Sequence, residues 1–262
     1  MDLELKGNSA LVLASSSGLG KASAEALARE GAKVTINGRD QEKLEQVVEE
    51  LGGSTQGEVH GVAGDITEKK DISRIVKKTV EMQDGLDHLV TCAGGPPSKP
   101  FIETKDEEWY RNFDMLVMSV VRSARESYEY LKEGEGTIVN ITSMSVKEAI
   151  PELVLSNSVR MSVIGLMKTL SKEWGPEIRA NSVLPGPHET GRIKELIEAE
   201  IERGNISSYD KGMKQWTDDI PLGRIGDPIE LGELVAFLSS PKSSFINGAA
   251  IPVDGGGSGS NL

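Results

Sequence analysis

Short β-forming apolar runs alternate with longer helical patterns along nearly the whole chain, and this alternation constrains the fold more than any other feature. Residues 10–14 precede a helical pattern over 21–29, residues 33–37 precede 42–51, and residues 59–63 precede 72–82. The series continues through 86–92, a helical stretch from 107 to 132, then 137–142, 154–174 and 180–184. Parallel strands need long crossover connections, usually helices, so the pattern predicts an α/β fold: a doubly wound sheet of about seven parallel strands with helices on both faces. No internal repeat, low-complexity linker or composition break divides the 262 residues, and one domain spanning 1–262 is expected. Residues 191–219 interrupt the rhythm. Ile193, Leu196, Ile197 and Ile201 form an amphipathic stripe there, expected to be a lid at the carboxyl edge of the sheet; a permanently packed surface helix is the plainer reading.

Several function classes are disfavoured by composition. The formal charge of −12 argues against a nucleic-acid surface, which needs clustered Lys and Arg. No apolar run is long enough for a membrane span. The start, Met1-Asp2-Leu3-Glu4-Leu5-Lys6, has neither the basic nor the apolar part of a signal peptide. Cys92 is the only cysteine, which excludes intrachain disulfides and suits a reducing cytoplasm. No histidine, cysteine and carboxylate spacing points to a metal.

Residues 14–20, Ala-Ser-Ser-Ser-Gly-Leu-Gly, leave an apolar strand and open the first helix. A glycine-rich turn in that context lets backbone approach a pyrophosphate, while the helix N-terminus adds N–H donors and a positive dipole. Ser15, Ser17, Gly18, Leu19 and Gly20 are the candidate contacts, although such turns also serve purely steric ends. Ala14 is expected to keep a negative φ, because its Cβ crowds the backbone otherwise. The second strand ends Asn37-Gly38-Arg39, with no carboxylate to accept ribose hydroxyls. Arg39 can instead pair with a 2′-phosphate through two hydrogen bonds, although Asp40 adjoins it and an exposed strand-end arginine is the plainer reading. NADP is the expected cofactor, with NAD second.

Further segments, taken in order, resemble the short-chain dehydrogenase/reductase family. Leu13–Gly20 stands where the family has Thr-Gly-x-x-x-Gly-x-Gly, with Leu13 for the threonine and Ala14 for the first glycine. Asp65, followed by Ile66, closes the third strand. Thr91-Cys92-Ala93-Gly94 replaces Asn-Asn-Ala-Gly, and Pro185-Gly186-Pro187-His188-Glu189-Thr190 matches Pro-Gly-x-x-x-Thr. Phe245-Ile246-Asn247-Gly248 and Val253-Asp254-Gly255-Gly256 complete a likeness that covers essentially the whole chain. The resemblance implies that Asp65 and Ile66 lie beside an adenine and that Ala93 and Gly94 follow the cofactor. Pro185, Gly186, His188 and Thr190 then touch its nicotinamide end. It also implies a homotetramer paired through long helices, here around 120–128 and 163–170.

The family's Tyr-x-x-x-Lys pair falls on Ser156-Asn157-Ser158-Val159-Arg160, with register fixed by the matching helix at 163–170. Ser143, in Asn140-Ile141-Thr142-Ser143, matches the family serine. Counting from Trp109, the family's helix asparagine becomes Leu116. A phenol with a pKa of about 10 can be tuned by a neighbouring cation, whereas a serine hydroxyl is far less acidic and arginine stays protonated. Ser156 and Arg160 share a helix face, so they orient a substrate oxygen and hold ribose hydroxyls without relaying a proton. Ser143, Ser156 and Arg160 are therefore the catalytic candidates. His188 and Tyr209 are the substitute acids, each with a plainer packing role. Pro96, Ser145, Pro151, Met213 and Trp216 are the expected pocket walls.

Three functions compete. The preferred one is an NADP(H)-dependent oxidoreductase acting on a small carbonyl or alcohol substrate. The second is an NADP(H)-binding protein of little catalytic power, serving as a sensor or oligomer partner. The third is a lyase resembling halohydrin dehalogenases, which use Ser, Tyr and Arg; Arg160 fits that set and Ser156 does not.

Overall fold

The computed structural model describes residues 1–261. Its chain runs β1 (Ser9–Val12), α1 (Gly18–Arg29), β2 (Lys33–Gly38), α2 (Gln41–Ser54), β3 (Val59–Ala63), α3 (Lys69–Gln83), β4 (His88–Thr91), α4 (Asp106–Phe113), α5 (Ser119–Glu133) and β5 (Thr137–Ile141). It continues with α6 (Val154–Val159), α7 (Met161–Glu173), β6 (Arg179–Pro185), α8 (Gly191–Glu202), α9 (Tyr209–Asp218), α10 (Pro228–Ser239) and β7 (Ala250–Val253). All seven strands pair in parallel in the order β3-β2-β1-β4-β5-β6-β7. Strand order reverses between β1 and β4, where open α/β sheets place their ligands.

Central strands are buried on both faces, as helices above and below the sheet require. One face packs Ala24, Leu27, Leu44, Val47, Leu231 and Val235 from α1, α2 and α10. The opposite face packs Ile75, Val76, Leu131, Val163 and Met167 from α3, α5 and α7. Close approach of α10 to α1 depends on Gly232, whose added Cβ would collide with the backbone of Ala22.

Two helices depart from the sequence expectation. The stretch 107–132 carries a π-turn at Asp114–Met118 between α4 and α5, which places Leu116 in the core. The stretch 154–174 divides at Arg160 into α6 and α7. The apolar faces expected to pair subunits are also largely used inside the chain: Val120, Ala124, Val163, Met167 and Leu170 are buried against the sheet. The exposed apolar groups nearby are Tyr110, Phe113 and Met161. No helix among the described residues is long and apolar enough to cross a membrane.

Candidate active site

The turn before α1 is stitched to β2 by a buried asparagine. Asn37 Oδ1 accepts from Ala14 N at 3.2 Å, and its Nδ2 donates to Val62 O and Gly64 O at 3.0 and 3.1 Å. Ser15 Oγ donates to Val12 O at 2.6 Å and accepts from Asn37 N at 2.9 Å. The Ser15 side chain is thus a buried loop staple and not a wall of the cleft. Ala14 has φ +49°, correcting the expectation of a negative value: bonds on both sides of the turn hold a residue with a Cβ in the left-handed region. Gly20 faces this turn directly, since a Cβ there would lie 2.6 Å from Ala14 O. Ser17 is extended at the N-cap of α1 and makes no side-chain cap bond.

Beside this cradle, Gly38 has room for no side chain, because a Cβ would meet Ser16 Oγ at 2.9 Å. Arg39 is exposed and makes no ion pair among the described residues. Asp40 is committed to capping α2, accepting from Lys43 N at 3.1 Å, and Lys43 itself lines the cleft. Asp65 Oδ1 accepts from Thr67 N and Thr67 Oγ1 at 2.9 and 2.8 Å, and Ile66 beside it is buried. Arg39, Asp65 and Ile66 sit at the ends of β2 and β3, outside the walls of the deep cleft.

That cleft, of about 930 Å³, opens at the carboxyl ends of the strands under α8 and α9. Ser17, Gly18, Leu19, Gly20, Ala93, Gly94, Pro185, Gly186, His188 and Thr190 line it, together with Ser143, Ser156 and Arg160. Thr190 brings the Pro-Gly loop against the cradle: its Cγ2 lies 3.6 Å from where a Cβ of Gly18 would stand. Among the expected walls, Pro96 and Trp216 are present. Ser145, Pro151 and Met213 are not: Ser145 is buried behind Ser156, Pro151 is exposed and Met213 is half-buried on α9; Ile150, Leu153 and Gln215 take their place.

Three serines meet near the end of β5. Ser143 is extended at φ −168°, and its Oγ accepts from Ser145 N at 3.1 Å. Ser145 Oγ and Ser156 Oγ lie 2.9 Å apart, both buried. One turn on, Arg160 is only 7% exposed; it donates to Gly94 O at 3.3 Å, and its buried Nε has no partner. Burial above all, opposed by Cys92 and reinforced by Arg192, lowers its pKa to about 10, so the guanidinium remains charged near neutrality. Burial in turn pushes the Cys92 thiol up, which keeps it protonated.

Neither substitute acid has its side chain free in the cleft. His188 Nδ1 donates to Gly186 O at 3.0 Å, and its ring packs against Gly226, where a Cβ would touch Cδ2 at 2.7 Å. Tyr209 begins α9, partly exposed and outside the cleft walls. His60 and His88 belong to β3 and β4. Among the described residues no group of His, Cys, Asp or Glu could hold a metal ion.

Sequence reasoning missed several residues that shape the site. Arg192 in the first turn of α8 and Arg203 at its C-cap reach across to Pro96 O and Ser98 O, tying the helix over the cleft. Arg203 also pairs with Glu152 at 2.5 Å. Only the isoleucine stripe of α8 was legible, because a carbonyl acceptor leaves no mark in a sequence. Asn37 and Ser145 are polar residues inside apolar strands or turns, a signal that they have buried partners.

Comparisons with known proteins agree with this geometry. A family model described as enoyl-(acyl carrier protein) reductase matches residues 13–258. An uncharacterised oxidoreductase of Bacillus subtilis, YvrD, is 33% identical over 98% of both chains. The L-sorbose reductase of Gluconobacter frateurii, solved with NADPH and L-sorbose, superposes with a TM-score of 0.92 at 28% identity over 98% of each chain. An NADPH-bound short-chain oxidoreductase from Pseudomonas aeruginosa PAO1, described as containing an atypical catalytic center, reaches 0.88 at 28% identity over 97% of each. With its parallel sheet, glycine cradle and family match over nearly its whole length, this chain belongs to the short-chain dehydrogenase/reductase family of oxidoreductases.

Proposed function

We propose that the protein is an NADP(H)-dependent oxidoreductase that interconverts a small carbonyl compound and its alcohol without a tyrosine acid. The observation that carries this reading is Arg160: a buried guanidinium with an unpartnered Nε, facing the same cleft as the glycine cradle of α1. The residues present fit a dinucleotide. Gly18 and Gly20 leave the α1 N-terminus open to phosphate oxygens, Gly38 and Arg39 carry no carboxylate against a 2′-phosphate, and Thr190 closes the nicotinamide end. NADPH-bound relatives of the same fold support the choice of cofactor.

NADPH, when bound, supplies the hydride. Arg160 would hold ribose hydroxyls and the substrate oxygen in place, where positioning accounts for much of the barrier reduction. Ser143 and Ser156, the latter backed by Ser145, would donate hydrogen bonds to the developing alkoxide without giving up a proton, which then comes from water in the cleft. Absence of an acid–base residue costs ~10²–10⁴ in rate, slowing the reaction without abolishing it. Helices α8 and α9 would act as the lid, tied shut by Arg192 and Arg203. We expect a homo-oligomer, with Tyr110, Phe113 and Met161 among the groups covered.

The test is an NADPH titration followed by a panel of ketones, aldehydes and sugars, read as loss of NADPH absorbance. Turnover that falls together with cofactor affinity in Arg160→Ala supports the proposal. Tight NADPH binding with no turnover on any compound favours the second reading, a nucleotide-binding protein. The bond between Ser145 and Ser156 gives that reading its one specific support, because it withdraws a hydroxyl from the cleft.

A further inference from the structure

One cation lining the cleft has no countercharge among the described residues. Arg160 forms no ion pair among the described residues, its side chain donates one long hydrogen bond, to Gly94 O at 3.3 Å, and its buried Nε is unpartnered. The charged group that bears on it from the neighbouring wall is Arg192, of like sign, and Cys92 is a half-buried thiol whose pKa is raised. Five carboxylates line the cleft: Asp219 is exposed just past the end of α9 and forms no ion pair with Arg160, and the other four are occupied elsewhere. Glu195 pairs with Arg192 at 3.4 Å and Glu200 with Arg203 at 3.0 Å. Glu148 accepts from Gly259 N at 2.8 Å, and Asp254 accepts from Gly256 N and Ser258 N at 3.0 Å each.

A buried guanidinium left without an anion is unfavourable, and neutral acceptors satisfy its hydrogen bonds without cancelling its charge. Ribose hydroxyls are such acceptors, and they would take only some of its five N–H donors. Space for a further group lies alongside, because Ser156, one turn earlier, is small and its hydroxyl is turned to Ser145. A planar fork of donors suits a carboxylate held by two parallel hydrogen bonds.

We infer that Arg160 receives the carboxylate of the substrate, which is a small oxo acid: a ketone or aldehyde bearing one carboxylate close to its carbonyl. This names the substrate class of the proposed reductase and rests on that reading for its chemistry, though not for binding. Reduction would put the hydride of NADPH on the carbonyl carbon, move the carbonyl π pair onto oxygen and take one proton from water, leaving the carboxylate unchanged. The products are the hydroxy acid, still as its carboxylate, NADP⁺ and the hydroxide left by that water.

Isothermal titration of the full chain, with and without saturating NADPH, tests this directly. The probes are short 2-oxo and 3-oxo monocarboxylates, such as pyruvate, each paired with its neutral amide. Wild-type protein should bind at least one acid ~10-fold or more tightly than its amide. Arg160→Gln should erase that preference by weakening the acid far more than the amide, Arg160→Lys should keep part of it, and Arg192→Gln should leave it in place. Because the native guanidinium lacks an ionic partner, Arg160→Gln should melt no lower than wild type; if it does not fold, Arg160→Lys against wild type decides. Equal binding of acids and amides, no binding of any acid, or a preference that survives Arg160→Gln overturns the inference. NADPH-dependent reduction of neutral carbonyls with no acid bound would sink it and leave the reductase reading standing. Arg160-dependent acid binding with no NADPH consumption would do the reverse.

Discussion

Ala14 offers a quantitative check on the cofactor cradle. Its φ of +49° lies in the left-handed region, where a Cβ crowds the following carbonyl at a cost of roughly 1–2 kcal/mol. Hydrogen bonds hold it there: Ala14 N to Asn37 Oδ1, and Ser15 N to Asn37 O at 2.7 Å. Ala14→Gly removes the strain. It also loosens the unfolded chain, which takes back about 0.4–1 kcal/mol. The net expectation is a gain of about 0.5–1 kcal/mol, or roughly 1–4 °C in Tm for a chain of this size. Ala14→Val, with a branched Cβ at the same φ, should destabilise by about 1 kcal/mol or more. Thermal unfolding without cofactor measures both, and NADPH affinity should be unchanged in Ala14→Gly because the backbone shape is kept. A glycine variant that melts several degrees lower, beside a valine variant that melts like wild type, would refute a left-handed Ala14.

Other consequences follow from particular residues. Arg39→Ala should reduce the preference for NADPH over NADH by ~10-fold, the lower end for a charge-assisted bond at an exposed site, and Lys43→Ala should add to it; equal cofactor affinities in wild type would remove both roles. His88, hydrogen-bonded to Thr137 Oγ1 at 2.9 Å and to Asn8, has its pKa lowered by burial from 6.5 to about 4. Unfolded chain therefore binds the proton first as pH falls, so stability is full above about 6.5 and drops toward pH 4, by on the order of 3 kcal/mol. Denaturation in buffers from pH 7 to 4 reads this, and His88→Gln should flatten the slope. The double substitution Ser156→Tyr and Arg160→Lys should raise reduction of neutral carbonyls, limited by Leu116 where the family has an asparagine; a fall in an activity already present would show that the natural pair works by another proton route.

The strand–helix alternation made the sheet legible, because a parallel α/β core needs both the apolar runs and the crossovers between them. Boundaries were less so. Arg160 divides one expected helix, and the π-turn at Asp114–Met118 looks like ordinary helix in residue letters. Glycine positions in the cradle could be read because Gly20 admits no Cβ against Ala14 O, whereas the sign of φ at Ala14 was set by Asn37, 23 residues away. Ser156 and Arg160 could be placed on one helix face from their spacing. Their partners could not: Ser145 meets Ser156 across a loop, and the lack of any countercharge for Arg160 appears only when every neighbouring carboxylate is located. His188 shows the same limit from the other side, since its match to the Pro-Gly loop said nothing of a ring packed on Gly226.

Hydride transfer itself is the central claim, and isotope transfer tests it most directly. NADPH carrying deuterium on the transferring face of its nicotinamide ring should be mixed with the protein and a panel of oxo acids, ketones, aldehydes and sugars, and the products examined by mass spectrometry. The account predicts a single deuterium on the carbinol carbon of a hydroxy product, at a rate that falls with cofactor affinity in Arg160→Ala. Saturable NADPH binding with no label in any product, from the wild-type chain across the whole panel, would contradict it.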